Sequence, residues 1–153
     1  MRSILFVCLG NICRSPTAEG LMLNHLAAAG LADRIRVDSA GTGGWHTGEP
    51  PDRRAIAAAR RHGVDLTPLR ARQIRKADFS DFDLIVGMDR QNVADLRRLA
   101  PKESAARVGL WLEEALGLSG EVPDPYYEDD RAFDAVFDLC DRASRAFVEK
   151  LSA

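Results

Sequence analysis

Residues 4–20, with the sequence ILFVCLGNICRSPTAEG, decide the fold that we predict for this chain. The apolar run ILFV at the start is typical of a strand that is buried on both faces. Gly10 and Asn11 then indicate a turn, because these two residue types adopt positive φ most easily. Ser15 and Pro16 predict a helix start, with Ser15 as the N-cap and Pro16 in the first turn. The segment therefore predicts a strand, a tight loop and a helix.

The loop between this strand and this helix has the features of an anion site. Free backbone N–H groups and the positive end of the helix dipole meet there, and a phosphate-sized oxyanion would fit. Arg14 adds a guanidinium that can bind phosphate through two hydrogen bonds. Cys8 lies at the floor of the loop, where the helix start and Arg14 both favour a thiolate. A thiolate beside a bound phosphate indicates phosphoryl transfer to sulfur.

The spacing of Cys8 and Arg14, with five residues between them, is not specific by itself. The alternative is that Cys8 and Cys13 are small buried side chains in an ordinary turn, since free cysteine is usually a core residue. The strand before the loop, Gly10 and Asn11 within it, and the helix start after it favour the anion site.

Length and composition predict one ordinary globular domain that spans residues 1–153. With 46% hydrophobic and 29% charged residues, the chain is neither disordered nor membrane-like in composition. No apolar run approaches the roughly 20 residues that cross a bilayer, so no membrane partner is expected. The formal net charge of −2 makes nucleic acid an unexpected partner. The chain has one scattered group of basic residues, which we interpret as a solvated or rim surface rather than a binding patch: Arg70, Arg72, Arg75 and Lys76.

The three cysteines predict a reducing, cytoplasmic environment. Their number is odd and two of them lie in the candidate loop, so a framework of disulfides is not expected. Cleavage of an N-terminal signal would also remove the strand and the site that follows it.

The rest of the chain alternates between strands and helices, which indicates an α/β sandwich with a parallel sheet. We predict further strands at 34–39, 83–88 and 105–110, helices at 53–61, 90–99 and about 131–151, and at most a helical turn at 113–118. Asp52 and Asp89 are predicted helix N-caps, and residues 64–76 are predicted to be irregular. Such sheets bind ligands beyond the carboxyl ends of their strands.

Two loops contain further candidates. The Gly- and Pro-rich loop 40–51 has Trp45 at its centre, which we interpret as a wall of the site, with packing onto the core as the alternative. His46 is interpreted as a surface residue rather than a metal ligand, because no second ligand accompanies it.

The second loop is VPDPYY, at residues 122–127. Two prolines flank Asp124 and would present its carboxyl from a stiff loop, where it could protonate a leaving group and then activate water. Tyr126 and Tyr127 could flank a ring-shaped substrate. The alternative is a capping aspartate with two packed tyrosines.

Four segments together resemble the low-molecular-weight protein tyrosine phosphatases: VCLGNICRSPTAE at 7–19, ARQ at 71–73, the pair Met88 and Asp89, and DPYY at 124–127. The resemblance covers nearly the whole chain. It implies a three-layer α/β sandwich whose four-stranded parallel sheet has the order 2-1-3-4 and is flanked by helices. It also implies a phosphatase that hydrolyses phosphotyrosine and other aryl phosphate monoesters through a phosphocysteine intermediate, without a metal or an organic cofactor.

The resemblance also assigns roles to residues. Cys8 is implied as the nucleophile in a CX5R phosphate loop, Arg14 as the phosphate clamp and Asp124 as the general acid. The substrate-binding positions are Leu9, Gly10, Asn11, Ile12, Cys13, Ser15, Trp45, Tyr126 and Tyr127, the last three forming an aromatic slot. Asn11, Ser15 and Ser39 would support the loop, with the Ser15 hydroxyl stabilising the thiolate. The implied ligands are a phosphotyrosine protein or a small aryl phosphate, and inorganic phosphate or a similar oxyanion in the loop.

The chain departs from the family at Leu69, where a histidine commonly joins the network around Asn11. Because leucine cannot form that hydrogen bond, either another group or water serves Asn11, or the loop is less rigid.

Three other functions remain as alternatives. Thiol-dependent arsenate reductases share this fold and loop but need further redox cysteines, and Cys140, the one cysteine outside the loop, is predicted to be a core residue. Related arginine phosphatases carry threonine at the position of Ile12, whose bulky apolar side chain favours an aromatic ester. A phosphate-binding module without turnover is the third alternative, and the presence together of Cys8, Arg14 and Asp124 argues against it.

Cys8 and Cys13 pose a separate question. A reversible disulfide between them would protect the nucleophile from over-oxidation, and the alternative is that Cys13 is a buried thiol that lines the loop.

Overall fold

Four short strands form one parallel sheet. The computed structural model describes all 153 residues of the chain. The strands are β1 (Ser3–Cys8), β2 (Arg36–Gly41), β3 (Leu84–Gly87) and β4 (Arg107–Leu110). Their order is β2-β1-β3-β4 and each neighbouring pair is parallel, which confirms the sheet that the resemblance implied. The loops that follow the carboxyl ends of the strands therefore share one edge of the sheet.

Six helices pack around this sheet: α1 (Arg14–Ala28), α2 (Arg53–Arg60), α3 (Asp78–Asp81), α4 (Arg90–Leu99), α5 (Trp111–Leu116) and α6 (Asp130–Ser152). The predicted helices at 53–61, 90–99 and 131–151 are confirmed. So are their N-caps, since Asp52 accepts a hydrogen bond from the Arg54 amide and Asp89 from the Asn92 amide, each at 2.8 Å. The short helix α3 was not predicted, and α5 begins two residues before the predicted turn.

Two predicted boundaries are wrong, for physical reasons that concern the site. Helix α1 begins at Arg14 with Cys13 at the N-cap position, so Ser15 lies inside the helix and its hydroxyl is used elsewhere. Strand β2 runs on past Ser39 to Gly41, which pairs with Cys8. A Cβ atom on residue 41 would lie 2.8 Å from the Leu9 carbonyl oxygen, so only glycine allows the strand to continue beside the loop.

The side chains of β1 alternate between two cores, which places the sheet in the middle of three layers. Ile4 and Phe6 belong to the larger core, together with residues of α1, α5 and α6. Leu5 and Val7 belong to the smaller core on the opposite face, with residues of α3 and α4. Cys140 lies in the larger core, as predicted, and burial raises the pKa of its thiol. None of the helices combines the length and the apolar character that crossing a membrane requires.

Candidate active site

The loop between β1 and α1 is fixed from outside through its carbonyl oxygens. Asn11 has a φ of +58°, the left-handed conformation that asparagine tolerates better than most residues. Three carbonyls of the loop accept hydrogen bonds from amides of the chain that follows β2: Cys8 from Thr42 at 2.9 Å, Leu9 from Gly43 at 2.9 Å, and Ile12 from Asp52 at 2.8 Å. In a trans peptide the N–H points away from the C=O. The amides of Leu9, Gly10 and Cys13 are therefore turned to the inner side of the loop.

These inner amides are free to bind a ligand. None of the backbone N–H groups from Leu9 to Arg14 donates a hydrogen bond to another protein atom. The first amides of α1 are among them, so the positive end of the helix dipole reinforces the same position. The loop is thus a cradle of donors for a tetrahedral anion.

The sulfur of Cys8 lies beneath this cradle. Cys8 is nearly fully buried, and its Sγ lies 3.0 Å from the Ser15 hydroxyl and 3.5 Å from the Ser15 amide. The Ser15 hydroxyl accepts a hydrogen bond from Asn11 Nδ2 at 2.8 Å, so its own hydrogen can point at the sulfur, which lies nearer than the alternative acceptor, the Ala40 carbonyl at 3.5 Å. A thiolate at Cys8 would therefore accept two hydrogen bonds from one residue.

Asn11 supports the loop with every polar atom of its side chain. Its Nδ2 donates to Ser15 at 2.8 Å and to Ser39 at 2.9 Å, and its Oδ1 accepts from the Arg72 amide at 2.9 Å. Leu69, at the position where the resemblance implies a histidine, packs against the larger core. Of the alternatives raised by Leu69, the first is observed, because another group of the protein serves Asn11.

Arg72 is held in place by two carboxylates. Its guanidinium lies 3.1 Å from Asp38 Oδ2 and 3.0 Å from both oxygens of Asp78. The Asp78 side chain is fully buried, and although burial opposes its charge, the hydrogen bonds from Arg72 and from the Arg75 amide lower its pKa. Arg72 is therefore a partly buried member of an ion-pair network at the rim, whereas Arg70, Arg75 and Lys76 are exposed.

Glu19 closes this network away from the cavity. Its Oε1 accepts a hydrogen bond from the Ser39 hydroxyl at 2.6 Å, and the residue is 7% exposed. Burial raises the pKa of Glu19 from 4.5 to about 7, against the opposing effect of the Ser39 hydrogen bond. The neutral carboxyl is thus the form that the fold favours.

We expect Glu19→Gln to stabilise the protein above pH 7. Because the folded pKa lies above the unfolded one, Glu19 lowers the free energy of unfolding as pH rises from 4.5 to about 7. Glutamine resembles the neutral acid and removes that penalty, which amounts to at most about 3 kcal/mol. Urea unfolding at about pH 5 and about pH 8 gives the free energy of unfolding of the variant and of the parent. The contributions of other titrating groups are the same in both proteins and cancel in the difference between them. A difference that is the same at both pH values would contradict the expectation.

Arg14 lines the cavity beside the loop, and three neighbouring groups hold its guanidinium. Its side chain is 3% exposed; Nη1 bonds Asp89 Oδ2 at 2.6 Å and the Val122 carbonyl at 3.0 Å, and Nη2 lies 3.8 Å from Asp124 Oδ2. Burial opposes its charge, but the charge of Cys8 and the hydrogen bond that Arg14 donates to Asp89 outweigh this, so the pKa of Arg14 is raised. Asp89, predicted only as a helix cap, thus also orients the predicted phosphate clamp.

Asp124 stands at the mouth of the site. Its side chain is 42% exposed, Oδ1 accepts a hydrogen bond from the Tyr126 amide at 3.1 Å, and Oδ2 faces Arg14. The loop of residues 123–129 therefore presents this carboxyl opposite the cradle.

A cavity of about 340 Å³ joins these groups. Trp45 and Tyr127 stand at its rim with 71% and 92% of their surfaces exposed, so Trp45 does not pack into the core. The walls contain most of the residues predicted for substrate binding: Leu9, Gly10, Ile12, Cys13, Trp45, Tyr126 and Tyr127. The side chains of Asn11 and Ser15 lie behind the loop, as supports, while the Asn11 amide is one of the free donors. His46 is an unpredicted wall residue, held by a 2.7 Å contact with Glu49.

Cys13 is a buried free thiol on the cavity wall. Burial, with a smaller contribution from the negative charge of Asp52, raises its pKa. Cys13 is therefore protonated, and it is a poorer nucleophile than a thiolate would be.

The arrangement suits attack by sulfur on a phosphorus atom. Amide donors and a guanidinium surround the place where the oxygens of a tetrahedral anion would lie, a carboxyl faces that place, and the sulfur lies below it. No group of three or more His, Cys, Asp or Glu side chains is arranged to hold a metal ion.

Comparisons with known proteins agree with this chemistry. The family model for the low molecular weight phosphotyrosine protein phosphatases matches residues 3–153. Low molecular weight phosphotyrosine protein phosphatase 1 of Drosophila melanogaster is 45% identical over 152 residues, which cover 98% of this chain and 97% of the relative. The low molecular weight phosphotyrosine protein phosphatase of Homo sapiens is 40% identical over 151 residues, covering 97% and 95%.

Solved structures share the whole fold. The crystal structure of Primo-1 is 44% identical, has a TM-score of 0.90 and covers 98% of each chain. Wzb of Vibrio vulnificus, solved in complex with benzylphosphonate, is 32% identical, with a TM-score of 0.85 and coverage of 97% and 98%. The structure of a drosophila arginine phosphatase is 30% identical, with a TM-score of 0.90 and coverage of 100% and 99%.

Proposed function

The chain belongs to the low molecular weight phosphotyrosine protein phosphatase family, and we propose that its site hydrolyses phosphotyrosine by means of Cys8, Arg14 and Asp124. The observation that supports these roles most directly is the set of free amides that surrounds the Cys8 sulfur. The family consists of hydrolases, so turnover rather than binding alone is the function of such a site.

The proposed reaction has two steps. The Cys8 thiolate attacks phosphorus, the bond from phosphorus to the phenolic oxygen breaks, and that oxygen takes a proton from Asp124. The product of this step is a phosphocysteine. The Asp124 carboxylate then takes a proton from a water molecule that attacks phosphorus, which releases inorganic phosphate and restores the thiolate.

The loop amides and Arg14 supply most of the proposed acceleration. General acid catalysis contributes about 10² to 10⁴ in rate, whereas hydrolysis of phosphate monoesters is among the slowest uncatalysed reactions. The remaining factor belongs to donors that are held in place before the reaction and meet the equatorial oxygens of the transition state. Such donors need no metal ion to neutralise the developing charge.

Aromatic substrates suit the walls of the cavity. Trp45, Tyr126 and Tyr127 offer flat apolar surface beside the cradle, and Ile12 adds an apolar side chain. We therefore propose a phosphotyrosine protein or a small aryl phosphate as the substrate and inorganic phosphate as a ligand of the loop. The thiolate nucleophile also favours a reducing compartment, so we propose a cytoplasmic location.

A panel of matched peptides tests the substrate. We expect phosphate release from a phosphotyrosine peptide to exceed release from its phosphoserine and phosphoarginine counterparts by at least about tenfold in kcat/KM, because only tyrosine fills the aromatic walls. Arsenate with a thiol reductant serves as the test for reductase activity. Faster release from the phosphoarginine peptide than from the phosphotyrosine peptide would overturn the assignment to phosphotyrosine. So would reduction of arsenate by an enzyme that releases no phosphate from any of the peptides.

A further inference from the structure

The loop that carries Asp124 has few contacts that could hold it in place. Apart from Pro125, residues 123–130 are exposed. Within the loop, the Tyr126 amide donates to Asp124 Oδ1 and the Glu128 amide donates to the Pro125 carbonyl. These bonds shape the loop, but they do not fix its position relative to the phosphate loop. The direct contact between the two loops, from Arg14 Nη2 to Asp124 Oδ2, is 3.8 Å long and is therefore an ion pair without a hydrogen bond.

Arg54, in the first turn of α2, ties this loop to the rest of the protein. Its Nη1 donates to the Glu128 carbonyl at 3.1 Å and its Nη2 donates to the Tyr126 carbonyl at 3.0 Å. No other residue from outside the loop donates a hydrogen bond to residues 123–128. The guanidinium also lies over the Phe133 ring, 4.4 Å from its centroid, where a planar cation packs well.

The other side of the same guanidinium is bound to the phosphate loop through Asp52. Nε and Nη2 of Arg54 each donate to one Asp52 oxygen at 3.1 Å, the paired geometry that makes arginine and carboxylate a rigid unit. The Asp52 amide in turn donates to the Ile12 carbonyl at 2.8 Å. One side chain therefore joins the loop that binds phosphate to the loop that carries the acid.

We propose that Arg54 is a positioning residue that sets where Asp124 stands relative to the bound phosphate. The proposal rests on the proposed function, because it takes Asp124 as the proton donor. Arg54 itself is not among the residues that line the cavity, so it acts through the loop and not on the substrate. An acid that is misplaced by about 1 Å can lose about 10²-fold in rate.

The experiment compares Arg54→Ala with Arg53→Ala. Arg53 is the preceding residue of α2, has the same charge, is exposed and makes no hydrogen bond or ion pair, so it is the matched control. We expect Arg54→Ala to lower kcat/KM about 10- to 100-fold for phenyl phosphate, whose poor leaving group needs a proton. For dinitrophenyl phosphate, whose leaving group needs none, the loss is less than about threefold. We expect inhibition of Arg54→Ala by inorganic phosphate to equal that of the parent. For Arg53→Ala we expect kcat/KM with both substrates and inhibition by phosphate to be unchanged.

A second variant guards against an effect on folding. Arg54→Lys keeps the aliphatic stem over Phe133 and the positive charge, but one ammonium group cannot reach Asp52 and both carbonyls together. We expect it to fold like the parent, by circular dichroism and thermal unfolding, and to show an intermediate loss with phenyl phosphate. Retention of full activity with phenyl phosphate in both Arg54 variants would overturn the proposal.

The Asp124→Asn background separates this proposal from the one on which it rests. If Arg54 acts through Asp124, adding Arg54→Ala to Asp124→Asn lowers kcat/KM no further. An additional loss of the full factor in that background, or an equal loss with both substrates, would make Arg54 a general structural residue. If Asp124→Asn itself loses the same factor with both substrates, the assignment of Asp124 as the acid fails, whatever Arg54→Ala does.

Discussion

Cys8→Ser is expected to abolish turnover and to leave phosphate binding intact. A serine hydroxyl at this position is protonated at neutral pH, and no side chain of the site is placed to deprotonate it, so the attack on phosphorus is lost. The expected fall in kcat is more than about 10⁴-fold, the scale seen when a nucleophile is removed. The free amides from Leu9 to Arg14 and the Arg14 guanidinium are unchanged, so inorganic phosphate or vanadate still binds.

Two measurements on one preparation test this expectation. Phosphate release from a phosphotyrosine peptide gives the rate, and titration calorimetry with inorganic phosphate gives the affinity. Affinity equal to or above that of the parent is expected, because a neutral hydroxyl repels a phosphate dianion less than a thiolate does. Cys140→Ala is the control, since it removes a thiol of the core that no step uses. Full activity in Cys8→Ser would exclude this sulfur as the nucleophile.

Local sequence predicts the centre of this site because the centre is local. The strand, loop and helix of residues 4–20 are contiguous, so apolar runs, turn residues and the order of Cys8 and Arg14 indicate the cradle without knowledge of the tertiary structure. The stiff loop around Asp124 is likewise encoded locally, by the prolines on either side of this residue. Strand order places the phosphate loop at the carboxyl edge of the sheet, because this loop follows β1 directly. The loop of Asp124 follows α5 rather than a strand, and it is held at the same edge by the hydrogen bond of 2.9 Å from the Val122 amide to the Met88 carbonyl.

Asp89, Glu19 and Arg54 also support the site, and their roles could not be predicted because their partners are distant in sequence. Asp89 matched a helix cap, and that pattern explains Oδ1, but Oδ2 binds Arg14, 75 positions away. In the sequence, nothing distinguishes Glu19 from the other polar residues of its helix, and its role depends on the hydrogen bond from Ser39 in β2. Arg54 binds backbone carbonyls 72 and 74 positions away, and carbonyls carry no signal of residue type.

The error at Ser15 has a related cause. Serine before proline matches the pattern of a helix N-cap, and that pattern describes one use of the hydroxyl. Here the hydroxyl accepts a hydrogen bond from Asn11 and faces the Cys8 sulfur, and the helix N-cap is Cys13, two residues before the predicted one. Catalytic loops are places where a local preference yields to an interaction that function requires.

Asp124→Asn is expected to lower kcat/KM about 10² to 10³-fold for phenyl phosphate and less than about tenfold for dinitrophenyl phosphate. The amide keeps the size of the side chain and can still accept the hydrogen bond from the Tyr126 amide, so the loop keeps its shape. It cannot give up a proton in the pH range of the assay, however. The comparison uses kcat/KM because this constant reports the reaction up to the breaking of the bond to the leaving group. Losses of the same size with both substrates would argue against an acid at this position.

The second step provides an independent test of the same carboxyl. With dinitrophenyl phosphate the first step of Asp124→Asn stays fast, while hydrolysis of phosphocysteine lacks its base and becomes slow. A burst of dinitrophenol close to one equivalent of enzyme is therefore expected, followed by slow turnover, and the burst should be absent from Cys8→Ser. The trapped intermediate should be visible by intact mass as one phosphoryl group on the protein. Slow turnover without a burst would mean that hydrolysis of phosphocysteine is not the slow step of this variant. Asp124 would then act only in the transfer of the phosphoryl group to Cys8, and another group would have to activate the water.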